Sequence, residues 1–195
     1  MLSIADEKWK LVKEKNGIAV YTRNSDNTKL KEFKATCILH NVDIHKLYIL
    51  FEKSEYTPIW SHGVIRCDKL TPIDSATSVY RYIIDTPWPL KQRDVIQKQS
   101  IKWIELHQKF CHLASTVPDY LPVEKKYVRV KYGRVEWYFQ KNTDGSIAVT
   151  YIFCTDPDAP VPNDMIAYFI IDTPIKILEK LSIFLSSKTY HDMVL

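Results

Sequence analysis

Met165-Ile166-Ala167-Tyr168-Phe169-Ile170-Ile171 runs without a charge and, apart from the Tyr168 hydroxyl, without a polar side chain. Pro162 ahead of it suits the first turn of a helix, where a missing N–H costs nothing. Pro174 behind it is expected to kink that helix, because an interior proline removes a hydrogen bond and crowds the preceding turn. Past the kink, Ile175, Leu178, Leu181 and Leu185 share one face, with Lys176, Glu179 and Lys180 elsewhere. The spacing predicts a helix over 162–185, apolar all round before Pro174 and amphipathic after it. A helix apolar on every side has to be covered on every side. What the remainder of the chain can supply as cover therefore decides the fold.

The remainder reads mainly as strands. Residues 64–68, 78–84, 94–104, 109–117, 128–140 and 147–154 carry β-branched or aromatic side chains with period-two features, separated by turn residues. Asn142-Thr143-Asp144-Gly145 between the last two segments is a hairpin signal. Such short connections predict antiparallel neighbours. Upstream, Ile18-Ala19-Val20-Tyr21 and Leu30–Leu39 read as two further strands, and Asp43 is placed to cap a helix running to about Phe51. Ile4, Trp9, Leu11 and Val12, with acidic residues first and basic ones later, predict an N-terminal helix over 4–15 that Asn16-Gly17 ends. No repeat, low-complexity stretch or linker interrupts the chain, so a single domain over 1–195 is expected. Its class is α+β, with the apolar helix on the concave face of an antiparallel sheet.

Composition narrows the function. The 195 residues are 46% hydrophobic and 26% charged, the proportions of a globular protein. The net charge of +4 is spread, with no run of five like charges, which argues against a nucleic-acid partner and leaves only weak attraction to anionic membrane surfaces. Twelve Tyr against four Gly suit either a stiff sheet or a pocket that is apolar with a few polar tips. The N-terminus has neither a basic start nor an apolar run, and no window approaches 18 uninterrupted apolar residues. Cys37, Cys67, Cys111 and Cys154 form no CxxC and are expected as reduced thiols. A cytoplasmic location is expected, or a periplasmic one had a leader been removed ahead of Met1.

Candidate chemistry is sparse. His107, Cys111 and His112 resemble a metal cluster only in spacing: on a strand His107 and His112 face opposite ways, and His107 and Cys111 stand roughly 13 Å apart, too far to share an ion. There is no G-x-S-x-G elbow and no Gly-rich phosphate loop. No catalytic residue, no metal and no cofactor is expected, and the protein is not expected to be an enzyme. Arg93 and Asp94 adjoin, so on a strand they point to opposite faces and serve structure, with Arg93 seeking a carboxylate or carbonyl at the cavity end.

One loop stands apart: Asp85-Thr86-Pro87-Trp88-Pro89-Leu90-Lys91-Gln92-Arg93-Asp94. Two prolines around a Trp stiffen it and set an apolar tip between two strands. Pro-Trp-Pro followed by Arg93-Asp94 at a strand start resembles START domains, the bacterial ones in particular. Further resemblances occur in order along nearly the whole chain: Trp9 with Gly17-Ile18-Ala19-Val20-Tyr21, Trp60-Ser61-His62-Gly63, Val128, Val130 and Trp137, Asp156-Pro157-Asp158-Ala159, and Asp172-Thr173-Pro174. Asp158-Ala159 departs from the family's usual Gly pair, and Met165 stands where an aromatic-rich helix start is common. Where some animal members carry a buried acidic–basic pair, this chain has Tyr80 and Gln99, so the ligand contact is expected to be neutral.

The resemblance implies a helix-grip fold, with a curved sheet around the C-terminal helix and a hydrophobic tunnel between them. It implies binding of a sterol, phospholipid or other lipid without reaction. Strand parity then places the lining. Lys98 and Lys102 need water, so Arg93, Val95, Gln97, Gln99, Ile101 and Trp103 face inward; Arg81 needs water, so Tyr80, Tyr82 and Ile84 face inward. Trp137 and, from the helix, Met165, Ile166, Phe169 and Ile170 complete the expected lining. Pro87, Trp88 and Pro89 are the expected gate, with transient membrane-surface contact, and the protein is expected to be a monomer. Gln97 and Gln99 left unpartnered would each cost about 1–3 kcal/mol, which a ligand hydroxyl, a water or an internal Gln–Tyr network would relieve. The alternatives are a polyketide cyclase- or aromatase-like enzyme, or an interaction module without a ligand.

Overall fold

The computed structural model describes residues 9–25, 30–156 and 168–192. Ten strands form one sheet: β1 Lys10–Lys15, β2 Ile18–Asn24, β3 Lys31–Leu39, β4 Val64–Pro72, β5 Thr77–Ile84, β6 Arg93–Glu105, β7 Lys109–Thr116, β8 Val128–Arg129, β9 Gly133–Lys141 and β10 Ile147–Thr155. The order across it is β1-β2-β3-β10-β9-β7-β6-β5-β4, all antiparallel, with β8 added parallel to the start of β6. Among the described residues four α-helices accompany the sheet: α1 Ile44–Glu52, α2 Thr57–Trp60, α3 Thr173–Leu185 and α4 Lys188–Asp192. The 40–63 connection carries α1 and α2 from near one edge of the sheet to β4 at the other, across its concave side. Asp43 caps α1, accepting from His45 N at 2.8 Å and Lys46 N at 2.9 Å.

The amphipathic half of the C-terminal helix behaves as its pattern predicts. Ile175, Leu178, Leu181 and Leu185 are all buried, in one cluster with Val20 and Ala35 of the first strands, Leu47 and Leu50 of α1, and Trp137 and Phe139 of β9. The polar face is also used: Lys180 donates to Ser61 O at 2.8 Å and ties α3 to the end of α2, and Asn16 donates to Glu179 at 2.8 Å. The irregularity expected at Pro174 takes the form of a change of helix type. Tyr168–Asp172 is a π-helical turn, and α3 begins at Thr173 with Pro174 in its first turn, where its missing N–H is tolerated. The part of the helix expected over 162–167 lies outside the described residues.

Two expectations are corrected. Lys10–Lys15 is a strand, not the second half of a helix, and residues 4–8 lie outside the described part. Every residue of β1 is exposed, because it is an edge strand whose lysines keep it soluble, so it carries no alternating burial to read. Asn16-Gly17, taken as a helix stop, is instead the two-residue turn of the β1–β2 hairpin, both residues with positive φ (53° and 74°). Likewise 128–140 is not one strand. It breaks between Arg129 and Gly133, since Arg129 is drawn to β6 while β9 pairs with β7 and β10.

The cause of that break is a buried ion cluster on the convex side. Asp94 is completely buried and accepts from Arg81 (2.9 Å) and from Arg129 (2.8 Å). Arg129 also donates to the carbonyls of Pro118, Leu121 and Pro122, which folds the 118–129 segment over the outer face of β5 and β6. Arg81 therefore faces outward as parity requires but not into water, having Asp94 and Glu124 as partners. Ile83 and Ile96, on the same outward side, are buried with it.

Replacing Asp94 by Ala leaves Arg129 buried without its counter-charge. It should cost about 3–5 kcal/mol of stability, read in urea unfolding as a lower midpoint with unchanged slope. A loss under about 1 kcal/mol would show that the cluster does not hold the outer segment down.

Candidate functional site

Between α3 and the concave face of the sheet, from β3 across β10, β9, β7 and β6 to β5, lies a cavity of about 640 Å³, within the size range of small-molecule sites. Its walls are mainly apolar and aromatic, with Phe33, Val95, Val135, Trp137, Tyr151 and Phe153 from the strands and Ile177 from α3. The sheet's period of two makes this wall. Trp137 lies opposite Tyr151 in the β9–β10 register, their rings stacked at 4.1 Å, and Val135 opposite Phe153. The strand starts β3, β6 and β9 mark the solvent-facing end, where Lys31 and Thr155 are exposed and Arg93 lines the wall. At the deep end α1 contributes Phe51, the turn after it Ser54, and α2 Thr57 and Trp60.

The deep end is polar and uncharged. Ser54 Oγ donates to Gln99 Oε1 at 2.9 Å; Gln99 Nε2 donates to the Tyr82 hydroxyl at 2.6 Å and to Gln97 Oε1 at 3.2 Å. His112 Nε2 lies 3.3 Å from Gln99 Oε1, and since that oxygen can only accept, Nε2 carries the proton. Burial pushes the His112 pKa down to about 4, so the ring is neutral. Burial also raises the Tyr82 hydroxyl far above its ordinary value, and Cys67 beside it up to about 12. Nearer the surface, His62 is pushed down by burial and by Lys176 and Lys180. Gln99 is thus held by an internal network, with Ser54 and His112 in it as well as Tyr82 and Gln97.

Of the residues expected to line the cavity, Tyr82, Ile84, Arg93, Val95, Gln97, Gln99, Trp137 and Phe169 do line it. Arg93 finds a carbonyl partner at the open end, the backbone oxygen of Lys91. Tyr80, Trp103 and Ile101 do not line it. Tyr80 lines a separate polar pocket of about 300 Å³ and donates to Glu52 O at 3.4 Å. Trp103 stacks on Tyr48 of α1 at 4.8 Å. Parity gave the side of the sheet but not the depth, and these residues lie beyond the floor. Met165 and Ile166 lie outside the described residues, and the side chain of Ile170 is likewise outside the description. Sequence reasoning passed over Ser54, His112 and Tyr151. Tyr151 was recoverable from its register with Trp137; Ser54 was not, since only the folded connection brings it there.

Trp88 is 90% exposed, so it does not pack on the core. Its loop is braced from behind: Thr86 Oγ1 donates to Leu90 O and Lys91 O, and Gln92 Nε2 to Asp85 at 3.0 Å. Among the described residues no group of three or more His, Cys, Asp or Glu could hold a metal. His107 sits in the β6–β7 turn with φ 61°, its ring 4.4 Å from that of His45, away from His112. No described helix is long and apolar enough to cross a membrane.

The architecture, a curved antiparallel sheet gripping a C-terminal helix with an apolar cavity between them, defines the helix-grip class. The family description "START domain" matches residues 1–185, and the chain belongs to that family. It is 29% identical over 175 residues to an uncharacterized protein of Pseudomonas aeruginosa, covering 90% of this chain and 85% of that one. It is 26% identical over 163 residues to the human START domain-containing protein 10, spanning 82% of this chain but 55% of the human one. Solved structures agree in fold. A STAR-related lipid transfer protein from Xanthomonas axonopodis superposes with TM-score 0.81 at 23% identity, over 93% of this chain and all of that one. The human StAR-related lipid transfer protein 5 gives 0.84 at 17% identity, over 96% and 89%.

The neutral His112 makes a prediction about acid. Its folded pKa lies below the unfolded value, so the unfolded chain binds the extra proton first. Its contribution is present above about pH 6.5 and is lost as pH falls toward 4, by about 3 kcal/mol in all. His112→Asn should lose less stability than the parent between those pH values in urea titrations. Parallel pH profiles would show that His112 titrates normally.

Proposed function

We propose that this protein is a non-enzymatic container for one hydrophobic lipid-like molecule, held in the 640 Å³ cavity for transport, transfer or sensing. The observation that carries this reading is the lining itself: apolar and aromatic walls that end in an uncharged polar floor held by hydrogen bonds through Gln99. Apolar contact supplies the affinity there, and a few polar groups fix orientation. Enzymes of similar architecture would need an acid or base aimed at the ligand. The described lining holds no carboxylate and no thiol; its deep histidine is neutral and bonded to Gln99, and its other histidine, His62, lies nearer the surface beside Lys176 and Lys180. The related structures named as lipid transfer proteins support the same reading.

Entry belongs, in this proposal, to the Pro87-Trp88-Pro89 loop at the open end. A lone indole, exposed on a braced loop with Lys91 beside it, has the amphipathic ring that rests at a membrane interface and a cation for anionic headgroups. In this proposal the loop and the C-terminal helix act together as the gate.

Native mass spectrometry of the protein purified from its own host tests the container. A lipid-sized adduct should be present, and Ala114→Phe, which puts a ring into the cavity from β7, should abolish it while the fold survives. An adduct undiminished in that variant would move the site elsewhere. Trp88→Ala should slow lipid exchange between vesicles several-fold while equilibrium affinity holds and stability stays within about 0.5 kcal/mol. Unchanged exchange would remove the loop from the gate.

A further inference from the structure

On the reading of the cavity as a lipid site, its deep end carries chemistry that narrows the ligand. The charged side chains of the described lining, Lys31 and Arg93, start β3 and β6 at the open end. Gln97 and Gln99 lie four and six residues further along β6, roughly 13 and 20 Å inward at strand rise. A charged headgroup taken to that depth would meet no counter-charge, and burying an unpaired ion is prohibitively costly.

The floor also has a direction. Ser54 donates to Gln99 Oε1, and Gln99 Nε2 donates to the Tyr82 hydroxyl and to Gln97 Oε1. Both ends of the Gln99 amide are therefore occupied. At Gln97 the oxygen is taken and the amide N–H2 is not: among the described residues Nε2 has no partner, and Gln97 is half-buried where it lines the cavity. The network ends on an open donor. We infer that the buried end of the ligand is an uncharged oxygen acceptor, a carbonyl or hydroxyl oxygen, that takes a hydrogen bond from Gln97 Nε2. The lipid enters with this end first and leaves its apolar body against Trp137, Tyr151 and Phe153.

Displacement of Nile red from delipidated protein tests this with matched probes: hexadecane, 1-hexadecanol, methyl palmitate, palmitate, and phosphatidylcholine in vesicles. The alcohol and the ester should each displace the dye about fivefold better than the alkane, the scale of one hydrogen bond. They should also outcompete palmitate and phosphatidylcholine. Gln97→Leu should erase the advantage over hexadecane. Hexadecane should bind Gln97→Leu as well as it binds the parent, with the alcohol and the ester brought down to its level, whereas a purely structural Gln97 would weaken all three probes alike. Equal ester-to-alkane ratios in the parent and Gln97→Leu overturn the inference, as does preference for palmitate or phosphatidylcholine. In those cases the container still stands. If Nile red and every probe fail to bind the parent protein, the container reading itself falls, and this inference with it.

Discussion

Leu178, Leu181 and Leu185 must be kept from water, and α3 can do this only in the hollow of a curved sheet. Each turn of α3 brings one of these side chains against β2, β3, β9 or β10, and α1 closes the same cluster from above. Burying a Leu or Ile side chain is worth about 1.5–3 kcal/mol, so this one face of one helix anchors half of the sheet. The helix is too narrow to fill the hollow. What it leaves open, from β3 across to β5, is the cavity.

That cavity poses a second problem, since strands β5 to β7 offer polar side chains to its deep end, away from bulk water. The chain solves it internally. Gln99 bonds at both ends of its amide and is joined by Ser54 from the connection after α1, so most of the floor is satisfied before any ligand arrives. A satisfied floor is rigid, because each bond fixes the orientation of the next donor. Rigidity with the Gln97 amide N–H2 left open allows an apolar site to discriminate. On the convex side of the same strands Asp94 draws Arg81 and Arg129 together and covers Ile83 and Ile96. Adjacent residues Arg93 and Asp94 thus serve opposite faces, one at the cavity mouth and the other under the outer segment.

The inner wall depends on aromatic stacking as much as on aliphatic packing. Phe110 stacks on Phe139 at 4.5 Å and Trp137 on Tyr151 at 4.1 Å, with Phe51 of α1 set edgewise against Phe110, Trp137 and Phe139. Flat rings on neighbouring strands make a smooth wall, and each such pair adds about 0.5–1.5 kcal/mol beyond area burial. The high tyrosine content belongs to both readings first open for it. Tyr151 and Tyr82 line the cavity, while Tyr138 faces Glu136 on the outside of the sheet.

The sequence by itself determined what local periodicity and chain chemistry can encode. The apolar face of α3, the strands β4 to β7 and β10, the Asp43 cap and the Asn142–Gly145 turn were legible because each depends on residues close together in the chain. So was the inward side of β5 and β6, from the need of Lys98 and Lys102 for water. Tertiary structure alone decided depth and partnership. Parity placed Tyr80 and Trp103 on the correct side, but only the seating of α1 and its trailing turn sets where the cavity floor lies, and both fall behind it. The N-terminal segment misled because an edge strand exposed on all sides has no burial pattern, and Asn-Gly ends a helix as readily as it turns a hairpin. Ser54, His112 and Arg129 gained their roles from contacts 45, 13 and 35 residues away, a range at which only the folded chain decides who meets whom.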